Sequence, residues 1–310
     1  MTDVEPTNPI VGVVGLGKMG TPMTRSLLKA GFQVVVHNRS RAAVDALREE
    51  GAEAVDGPSA IAQRANVILT SLPDPAAVEA VYLGEDGLVA NAREGQVYVD
   101  TSTVDPGLSR KLAQELSSRQ ASFLDAPVSG DVAGAVAGTL TIMVGGDEEA
   151  FAWVRPVLEA LGERIHHVGP SGSGTIIKLA NQLLVGINVA AVAEAMVLGV
   201  KAGADPAAMF DVLSSSFGGS RMLDRGVPLI LERNFGGGTP VDLIRKDLGL
   251  ITSLAQELGV PLASGETAQA IFNQAHDANL GTEDMVAVIR PMEHQAGTEV
   301  TRQQVDATPT

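Results

Sequence analysis

Cysteine is absent from the 310-residue chain, and aromatic residues make up only 3% of it. Without cysteine the protein has no disulfide, no thiolate ligand for a metal and no cysteine nucleophile. Its five histidines do not have the spacing of metal ligands, so the sequence predicts no metal site. Because aromatic residues are few while 45% of the residues are hydrophobic, we expect a core of aliphatic side chains and alanine.

Basic residues are also scarce, since 22 Lys and Arg against 37 Asp and Glu give a net charge of −15. No basic stripe stands out, which argues against nucleic acid and anionic membrane surfaces as partners. A small anionic substrate is still compatible with this charge, because a local basic pocket can outweigh the average field.

No segment has the pattern of an export signal or a membrane anchor. Met1–Pro9 is polar and acidic, unlike a signal peptide. The most apolar window, Leu183–Val200, contains Asn188 and Glu194, and it therefore predicts a buried helix rather than a membrane span. We expect a cytoplasmic protein whose polar end, Gly297–Thr310, is disordered.

A glycine motif follows the first apolar run, Ile10–Val14, and precedes a helical segment at 18–30. Its residues are Gly15, Leu16, Gly17, Lys18, Met19 and Gly20. In a G-x-G-x-x-G turn the first glycine allows the tight turn, the second admits a pyrophosphate and the third lets helix and strand pack closely. The helix N-terminus adds N–H groups and a positive dipole end for the phosphates. The motif predicts dinucleotide binding, and the alternative is a glycine turn with a structural role alone.

The end of the second strand, 33–37, indicates which dinucleotide is preferred. An NAD site usually has an acidic residue there, which binds the ribose diol. This chain has Asn38, Arg39 and Ser40 instead. An amide and a guanidinium suit a 2′-phosphate that an acid would repel, so we expect NADP (as NADPH) to be favoured over NAD. The alternative is that Ser40 caps a helix at 41–50 while Arg39 is solvated.

Strands and helices continue to alternate up to residue 169, which predicts a parallel, doubly wound sheet. Leu72 and Pro73 follow the strand at 67–71, and Thr103 follows the strand at 97–100, at the sheet edge where ligands bind. Further along, 126–131 is expected to leave the sheet and 138–146 to return as a strand. After Asp205 only helical periodicity is evident, at 206–215, 222–232, 241–258 and 263–278. The sequence thus predicts an α/β domain at 1–169, an all-helical domain at 170–303 and a disordered tail at 304–310.

A long helix at 171–201 would join the two domains. At about 1.5 Å per residue it would span roughly 40 Å. It is mostly apolar, but Lys178, Asn181 and Gln182 stand at i, i+3 and i+4 and therefore share one face. A lysine on a buried helix is costly unless its charge is used or paired. The alternative is that the Lys178 stem lies along the helix and its amine reaches solvent.

Four segments together resemble the β-hydroxyacid dehydrogenase family over about residues 10–303. The segments are Gly15–Met23, Asp125–Gly130 with Gly138–Leu140 and Met143–Gly146, Gly172–Gly174 with Lys178 and Asn181, and Lys246–Leu248. Within the family the chain looks most similar to tartronate semialdehyde (2-hydroxy-3-oxopropionate) reductases, because Gln182, Gly281–Asp284 and Glu299–Arg302 look like that branch. The resemblance implies a Rossmann-type NAD(P) domain followed by an all-helical domain, and an assembly of two or four chains.

The resemblance also implies a chemistry and the residues that perform it. Family members reduce an aldehyde next to a small carboxylate, or run the reverse oxidation, with the nicotinamide as hydride carrier. Lys178 matches the general acid and Asn181 the residue that orients the substrate oxygen. The carboxylate would be held by Ser129, Gly130 and Asp131. Thr103 and Lys246 match positions near the nicotinamide, although Thr103 could instead cap a helix and Lys246 could be a solvated helix residue.

Two departures and three alternatives accompany this interpretation. Asp131 stands where the family usually has a second glycine, so its carboxylate should point away from the substrate, or the substrate differs. Asn38 and Arg39 look like the NADP-using glyoxylate/succinic semialdehyde reductases. The alternative activities are those reductases and 3-hydroxyisobutyrate dehydrogenase, and the alternative outside enzymes is a non-catalytic dinucleotide-binding protein. The presence of Lys178 argues against that last role and against imine reductases, which replace this lysine.

The assembly expectation has a physical basis of its own. The apolar residues of the long helix point around its whole circumference, and one small helical bundle cannot cover all of them. We therefore expect a homodimer or homotetramer formed through the helical domain.

Overall fold

The computed structural model describes residues 8–302. The predicted tail at 304–310 and most of Met1–Pro9 lie outside these residues. The chain divides into two compact units, Met1–Lys178 and Leu179–Thr310. The division falls inside the long helix, nine residues after the domain boundary expected from the sequence.

The first unit is built on a nine-stranded sheet formed by the described residues. The strands are β1 (Val11–Val14), β2 (Val34–His37), β3 (Glu53–Ala54), β4 (Val67–Thr70), β5 (Val97–Asp100), β6 (Ser122–Asp125), β7 (Val128–Ser129), β8 (Leu140–Gly145) and β9 (Gly162–Gly169). Their order begins β3-β2-β1-β4-β5-β6, with all of these neighbours parallel. This is the strand order of the Rossmann fold, as the sequence predicted.

Helices cover both faces of this sheet. They are α1 (Gly20–Lys29), α2 (Arg41–Glu49), α3 (Pro58–Arg64), α4 (Pro75–Leu83), α5 (Pro106–Ser117), α6 (Asp131–Ala137) and α7 (Glu148–Glu159). Successive strand residues enter two separate clusters, so that Leu69 packs with α1, α2 and α7 while Ile68 packs with α3, α4 and α5. Since side chains alternate between faces along a strand, burial on both faces explains why these strands are continuous apolar runs.

The segment after β6 differs from the expectation. It does not leave the sheet completely, because Val128 and Ser129 pair antiparallel with β8. The helix that follows, α6, was also missed. It has only seven residues, with Gly134 in its middle, and so short a segment shows no clear helical period.

The second unit is helical, as expected. The long helix α8 (Ser173–Lys201) leads into it, and α9 (Pro206–Ser214), α10 (Arg221–Leu231), α11 (Val241–Leu258), α12 (Ala263–Asp277) and α13 (Ile289–Ala296) follow. A 3-10 helix, Met285–Val288, and α13 were not predicted. One apolar cluster gathers residues of these helices around fully buried Phe272.

The start of the segment predicted to be disordered is ordered in the structure. Val300 is fully buried, and its N–H donates to Glu293 Oε1 at 2.8 Å. The N–H of Arg302 donates to the carbonyl of Leu231 at 3.1 Å. The expectation was wrong for residues 297–302, because their partners come from α10 and α13 and composition alone does not reveal them.

Among the described residues, α8 is long and apolar enough to cross a membrane, with a mean hydropathy of 2.1 in its most apolar window. Only 39% of that window is buried within a single chain. The expectation of a buried helix is therefore met on one side of α8 only.

Candidate active site

The glycine loop between β1 and α1 leaves room for a phosphate group. Gly15 has a φ of +95°, and a Cβ on Gly20 would collide with the Gly15 carbonyl. At Gly17, by contrast, no described residue lies within 4 Å of the place that a Cβ would occupy. The open backbone at Gly17 and the N-terminus of α1 fit the pyrophosphate of a dinucleotide.

Asn38 makes hydrogen bonds at the end of β2 that the sequence did not predict. Its Oδ1 accepts a hydrogen bond from the Leu16 N–H at 3.1 Å, and its Nδ2 donates to the Ser40 carbonyl at 3.1 Å and to Ser40 Oγ at 3.2 Å. The amide therefore holds the glycine loop against the end of β2. Ser40 precedes α2, but its side chain makes no capping hydrogen bond.

Arg39 follows Asn38 in the chain and is exposed. Within residues 8–302 its guanidinium has no ion pair and no side-chain hydrogen bond. Of the residues expected to bind a 2′-phosphate, Arg39 is thus the one with a cationic group to offer.

A buried carboxylate ties together the two loops that follow β4 and β5. Asp100 Oδ1 accepts from Thr70 Oγ1 and Ser102 Oγ, each at 2.6 Å. Ser102 Oγ in turn accepts from the N–H of Leu72 at 2.9 Å. Burial raises the pKa of Asp100, and the hydrogen bonds from Ser102 and Thr70 oppose that rise. The network fixes the positions of Leu72-Pro73 and of the segment leading to Thr103. Its side chains, those of Thr70, Asp100 and Ser102, were not among the predicted site residues.

Thr103 is not the cap of the helix that follows it. That helix, α5, is capped by Asp105, whose Oδ1 accepts from the Leu108 N–H at 2.8 Å. Thr103 lies directly after Ser102, at the carboxyl edge of the sheet, as a residue near a bound nicotinamide would.

The predicted carboxylate-binding loop begins on β7 and ends at the start of α6. Ser129 pairs with Thr141 of β8, Gly130 has a φ of +142° and Asp131 a φ of +58°. Asp131 Oδ1 accepts from the N–H of Val132 at 2.8 Å, at the N-terminus of α6. A carboxylate is favoured at this end of a helix dipole, which accounts for the departure from glycine.

Lys178 is only 8% exposed, although its helix carries exposed residues on other sides. The alternative of an amine in open solvent is therefore wrong. The start of α8 is held at the end of β6, because Asp125 accepts from the N–H groups of Gly172 at 2.7 Å and Thr175 at 2.8 Å. Asp125 pairs in register with Asp100 of β5. Lys178 thus follows, by one helical turn, a contact at the edge of the sheet whose neighbouring strand carries the Asp100 network.

A second group of candidate residues lies within the helical unit. Asn181 Nδ2 donates to Gln182 Oε1 at 3.0 Å, and Gln182 Nε2 donates to Asp247 Oδ2 at 2.6 Å. Lys246 Nζ lies 3.0 Å from Asp247 Oδ1, close enough for an ion pair although outside hydrogen-bond geometry. Asp247 is fully buried, and this series of hydrogen bonds orients the Asn181 amide. The Lys246 side chain is 24% exposed. Gln182 and Asp247 were not among the predicted site residues.

No group of three or more His, Asp or Glu side chains in the described part of the chain could hold a metal ion. The chemistry available from these residues is hydrogen bonding, positive charge and proton transfer.

Comparison with known proteins identifies what this arrangement belongs to. Residues 10–169 match the family model described as the NAD binding domain of 6-phosphogluconate dehydrogenase. Residues 172–292 match the model described as NAD-binding of NADP-dependent 3-hydroxyisobutyrate dehydrogenase. Together the two matches cover nearly all of the described residues.

Individual proteins are similar over the same extent. The chain is 40% identical to 2-(hydroxymethyl)glutarate dehydrogenase of Eubacterium barkeri, over 94% of this chain and 97% of that protein. It is 38% identical to 2-hydroxy-3-oxopropionate reductase of Escherichia coli (strain K12), over 92% and 98%. A solved structure of Psf3 in complex with NADP⁺ and 2-OPP has a TM-score of 0.84 and 30% identity, over 91% of this chain and 99% of that one. By its fold, its glycine loop and these matches, the chain belongs to the β-hydroxyacid dehydrogenase family of NAD(P)-dependent oxidoreductases.

Proposed function

We propose that this enzyme reduces 2-hydroxy-3-oxopropionate to glycerate with NADPH, and that Lys178 is its general acid. The observation that carries the proposal is the 8% exposure of Lys178. An ammonium group largely withdrawn from water can donate a proton to a bound substrate without competition from bulk solvent, and the aldehyde oxygen that becomes an alcohol needs a proton.

The glycine loop would hold NADPH, which when bound would supply a hydride for the aldehyde carbon. As charge develops on the carbonyl oxygen, the Lys178 ammonium donates a proton to it, and the neutral amine is then protonated again from solvent. Asn181, one turn further along α8, would orient the same oxygen. Ser129 Oγ and the N–H groups of Gly130 and Asp131 suit the substrate carboxylate, because oriented donors stabilise an anion without reorganisation.

Two observations support NADPH over NADH. The end of β2 has no acid to bind a ribose diol, and the Asn38 amide there is occupied with Leu16 and Ser40. Arg39 follows it, is exposed and has no ion pair within residues 8–302. The similar Psf3 structure contains NADP⁺, which agrees with this preference.

A substrate panel followed at 340 nm tests the proposal. Reduction would be measured with 2-hydroxy-3-oxopropionate, succinic semialdehyde and glyoxylate, each with NADPH and NADH. Oxidation would be measured with 3-hydroxyisobutyrate and 2-(hydroxymethyl)glutarate. We expect the highest kcat/KM for 2-hydroxy-3-oxopropionate with NADPH. A higher kcat/KM for 3-hydroxyisobutyrate would reassign the substrate, and no turnover of any compound would support a non-catalytic role.

We also propose that the enzyme is a cytoplasmic homodimer or homotetramer joined through its helical domain. The support is the exposed side of α8, which carries Leu184 and Leu198 at 62% and 72% exposure. A second copy of this chain would cover these side chains without a membrane.

A further inference from the structure

Asp125 holds a helix in a way that no other described aspartate cap does. Asp74, Asp105 and Asp147 cap α4, α5 and α7, and each accepts from the N–H three residues ahead in the chain. Asp125 instead accepts from N–H groups that lie 47 and 50 residues later, at the start of α8. A local cap fixes where a helix begins in its own loop. The cap formed by Asp125 fixes where α8 begins relative to the sheet.

Both carboxylate oxygens of Asp125 are used in this contact. Oδ1 accepts from Gly172 at 2.7 Å and Oδ2 accepts from Thr175 at 2.8 Å. The first N–H groups of a helix have no partner within the helix, and an anion is favoured at that end. Asp125 is 1% exposed, and burial raises its pKa, while these two hydrogen bonds oppose that rise.

The first turn of α8 lies directly on the backbone of the sheet. A Cβ on Gly174 would lie 2.6 Å from the Asp125 carbonyl oxygen and 3.0 Å from the Gly145 nitrogen. Only glycine fits such a contact, so the helix cannot shift toward the strands. The Thr175 hydroxyl is also engaged, with Ser109 Oγ at 3.0 Å.

Two parts of the proposed chemistry start from this junction. Lys178 follows Thr175 by three residues, about 4.5 Å along the helix axis. Ser129 follows Asp125 by four residues, and the intervening backbone is fixed because the Met143 N–H donates to the Pro127 carbonyl at 3.1 Å. Asp125 therefore joins the strand that leads to the carboxylate-binding loop and the helix that carries the proton donor.

We propose that Asp125 is a positioning residue for the reaction, one that sets the place of Lys178 relative to the Ser129 loop through its two hydrogen bonds to α8. This inference rests on the proposed role of Lys178. The competing explanation is that Asp125 contributes to stability alone, as an ordinary helix cap does.

The test compares Asp125→Asn with Asp147→Asn, a matched change in the cap of α7. An amide offers one oxygen and one NH₂ group, so in Asp125→Asn one N–H of α8 faces another donor. We expect its kcat for 2-hydroxy-3-oxopropionate to fall on the order of 10- to 100-fold, the scale for a small misplacement of a reacting group. The Kd of NADPH, measured by fluorescence, should be unchanged. Amide hydrogen exchange should become faster in residues 172–178. Asp147→Asn should lower Tm and leave kcat unchanged.

Several results would overturn the inference. One is an unchanged kcat in Asp125→Asn. Another is an equal loss of kcat in Asp147→Asn, which would show that turnover follows stability. If Asp125→Asn does not fold, Asp125→Glu decides, because it keeps both carboxylate oxygens as acceptors but lengthens by one CH₂ group the side chain that holds the start of α8. Its kcat should fall by about 3- to 10-fold, and an unchanged value would contradict the proposal.

Lys178→Ala in the same assays separates this inference from the proposed function. If Lys178→Ala keeps full turnover, the general-acid proposal has failed. If Lys178→Ala is inactive while Asp125→Asn is fully active, the positioning inference alone has failed. If the wild-type enzyme does not turn over the substrate, amide hydrogen exchange is the deciding measurement. Unchanged protection of residues 172–178 in Asp125→Asn would show that Asp125 does not hold the start of α8.

Discussion

Lys178 is the residue on which the proposed chemistry depends most directly. Replacing it with alanine removes the proton donor but leaves the glycine loop intact. We expect Lys178→Ala to lower kcat by on the order of 100-fold or more, the usual scale for a lost general acid, and to leave the Kd of NADPH nearly unchanged. Lys201→Ala is the matched control, because Lys201 is an exposed lysine at the end of the same helix. Steady-state kinetics with an unchanged kcat for Lys178→Ala would exclude the acid role.

Arg39 should distinguish the two nicotinamide cofactors. Its guanidinium would make a charged hydrogen bond to the 2′-phosphate of NADPH, which NADH lacks. Arg39→Ala should therefore weaken NADPH binding by about 1.5–3 kcal/mol and NADH binding much less. Arg41→Ala is a suitable control, since Arg41 already lies near Asp45 and Asp56 at 3.7 and 3.8 Å. If fluorescence titration shows the same loss for both cofactors, Arg39 does not read the 2′-phosphate.

For single residues, the sequence shows which positions have special backbone or charge requirements, but it does not show which residues are hydrogen-bond partners. The glycines of the loop and the buried Lys178 are recognisable because few other residues could serve there. The hydrogen bond between Leu16 and Asn38, across 22 residues of chain, was not predicted. Asp100 and Asp125 were missed as site residues for the same reason, since their hydrogen-bond partners become neighbours only in the folded chain.

Strands β5 and β6 each end in a buried aspartate, and the two are paired in register. Burial raises the pKa of Asp100, and the nearby Asp125 charge raises it further. A raised pKa means that the fold favours the protonated acid. The protonated Asp100 carboxyl therefore stabilises the fold fully below the ordinary aspartate pKa of about 4. This stabilisation is lost as pH rises through the pKa that Asp100 has in the folded protein.

Asp100→Asn should remove this pH dependence. The amide oxygen can still accept from Thr70 and Ser102, but it does not ionise. The free energy of unfolding of the wild type, relative to Asp100→Asn, should therefore decline from about pH 4 upward. Urea unfolding of both proteins at several pH values measures the difference. If the difference in free energy of unfolding does not change with pH, ionisation of Asp100 does not destabilise the folded protein.

Among the elements, length decided which could be predicted. The run from 241 to 258 has five turns of regular apolar spacing, and α11 was predicted with the observed bounds. The short elements β7 and α6 were not predicted, because two to seven residues do not establish a period. Strand β7 exists because Val128 and Ser129 find partners on β8, which is a tertiary contact.

For the whole molecule, the exposed side of α8 carries a regular pattern of apolar residues that composition does not reveal. Its exposed apolar residues recur at intervals of seven along one side of the helix, at Ile177, Leu184, Ala191 and Leu198. Apolar side chains at this spacing form a seam that suits a second helix. The sequence analysis expected apolar residues all around α8, and the chain itself buries Val189, Val192 and Met196 from that set.

The seam predicts how the assembly can be broken. A two-fold axis beside α8 would bury the seams of two chains against each other. Leu184→Glu/Leu198→Glu places two charges on that seam, so the doubly substituted protein should dissociate while the wild type has a mass of at least two chains. Val136→Glu is the control, because Val136 is similarly exposed, at 68%, but lies on α6. Light scattering at micromolar concentration, with and without detergent, measures the outcome. A wild-type mass near the 32.0 kDa of one chain would refute the assembly, and a mass that needs detergent to become defined would favour a membrane as the cover of α8.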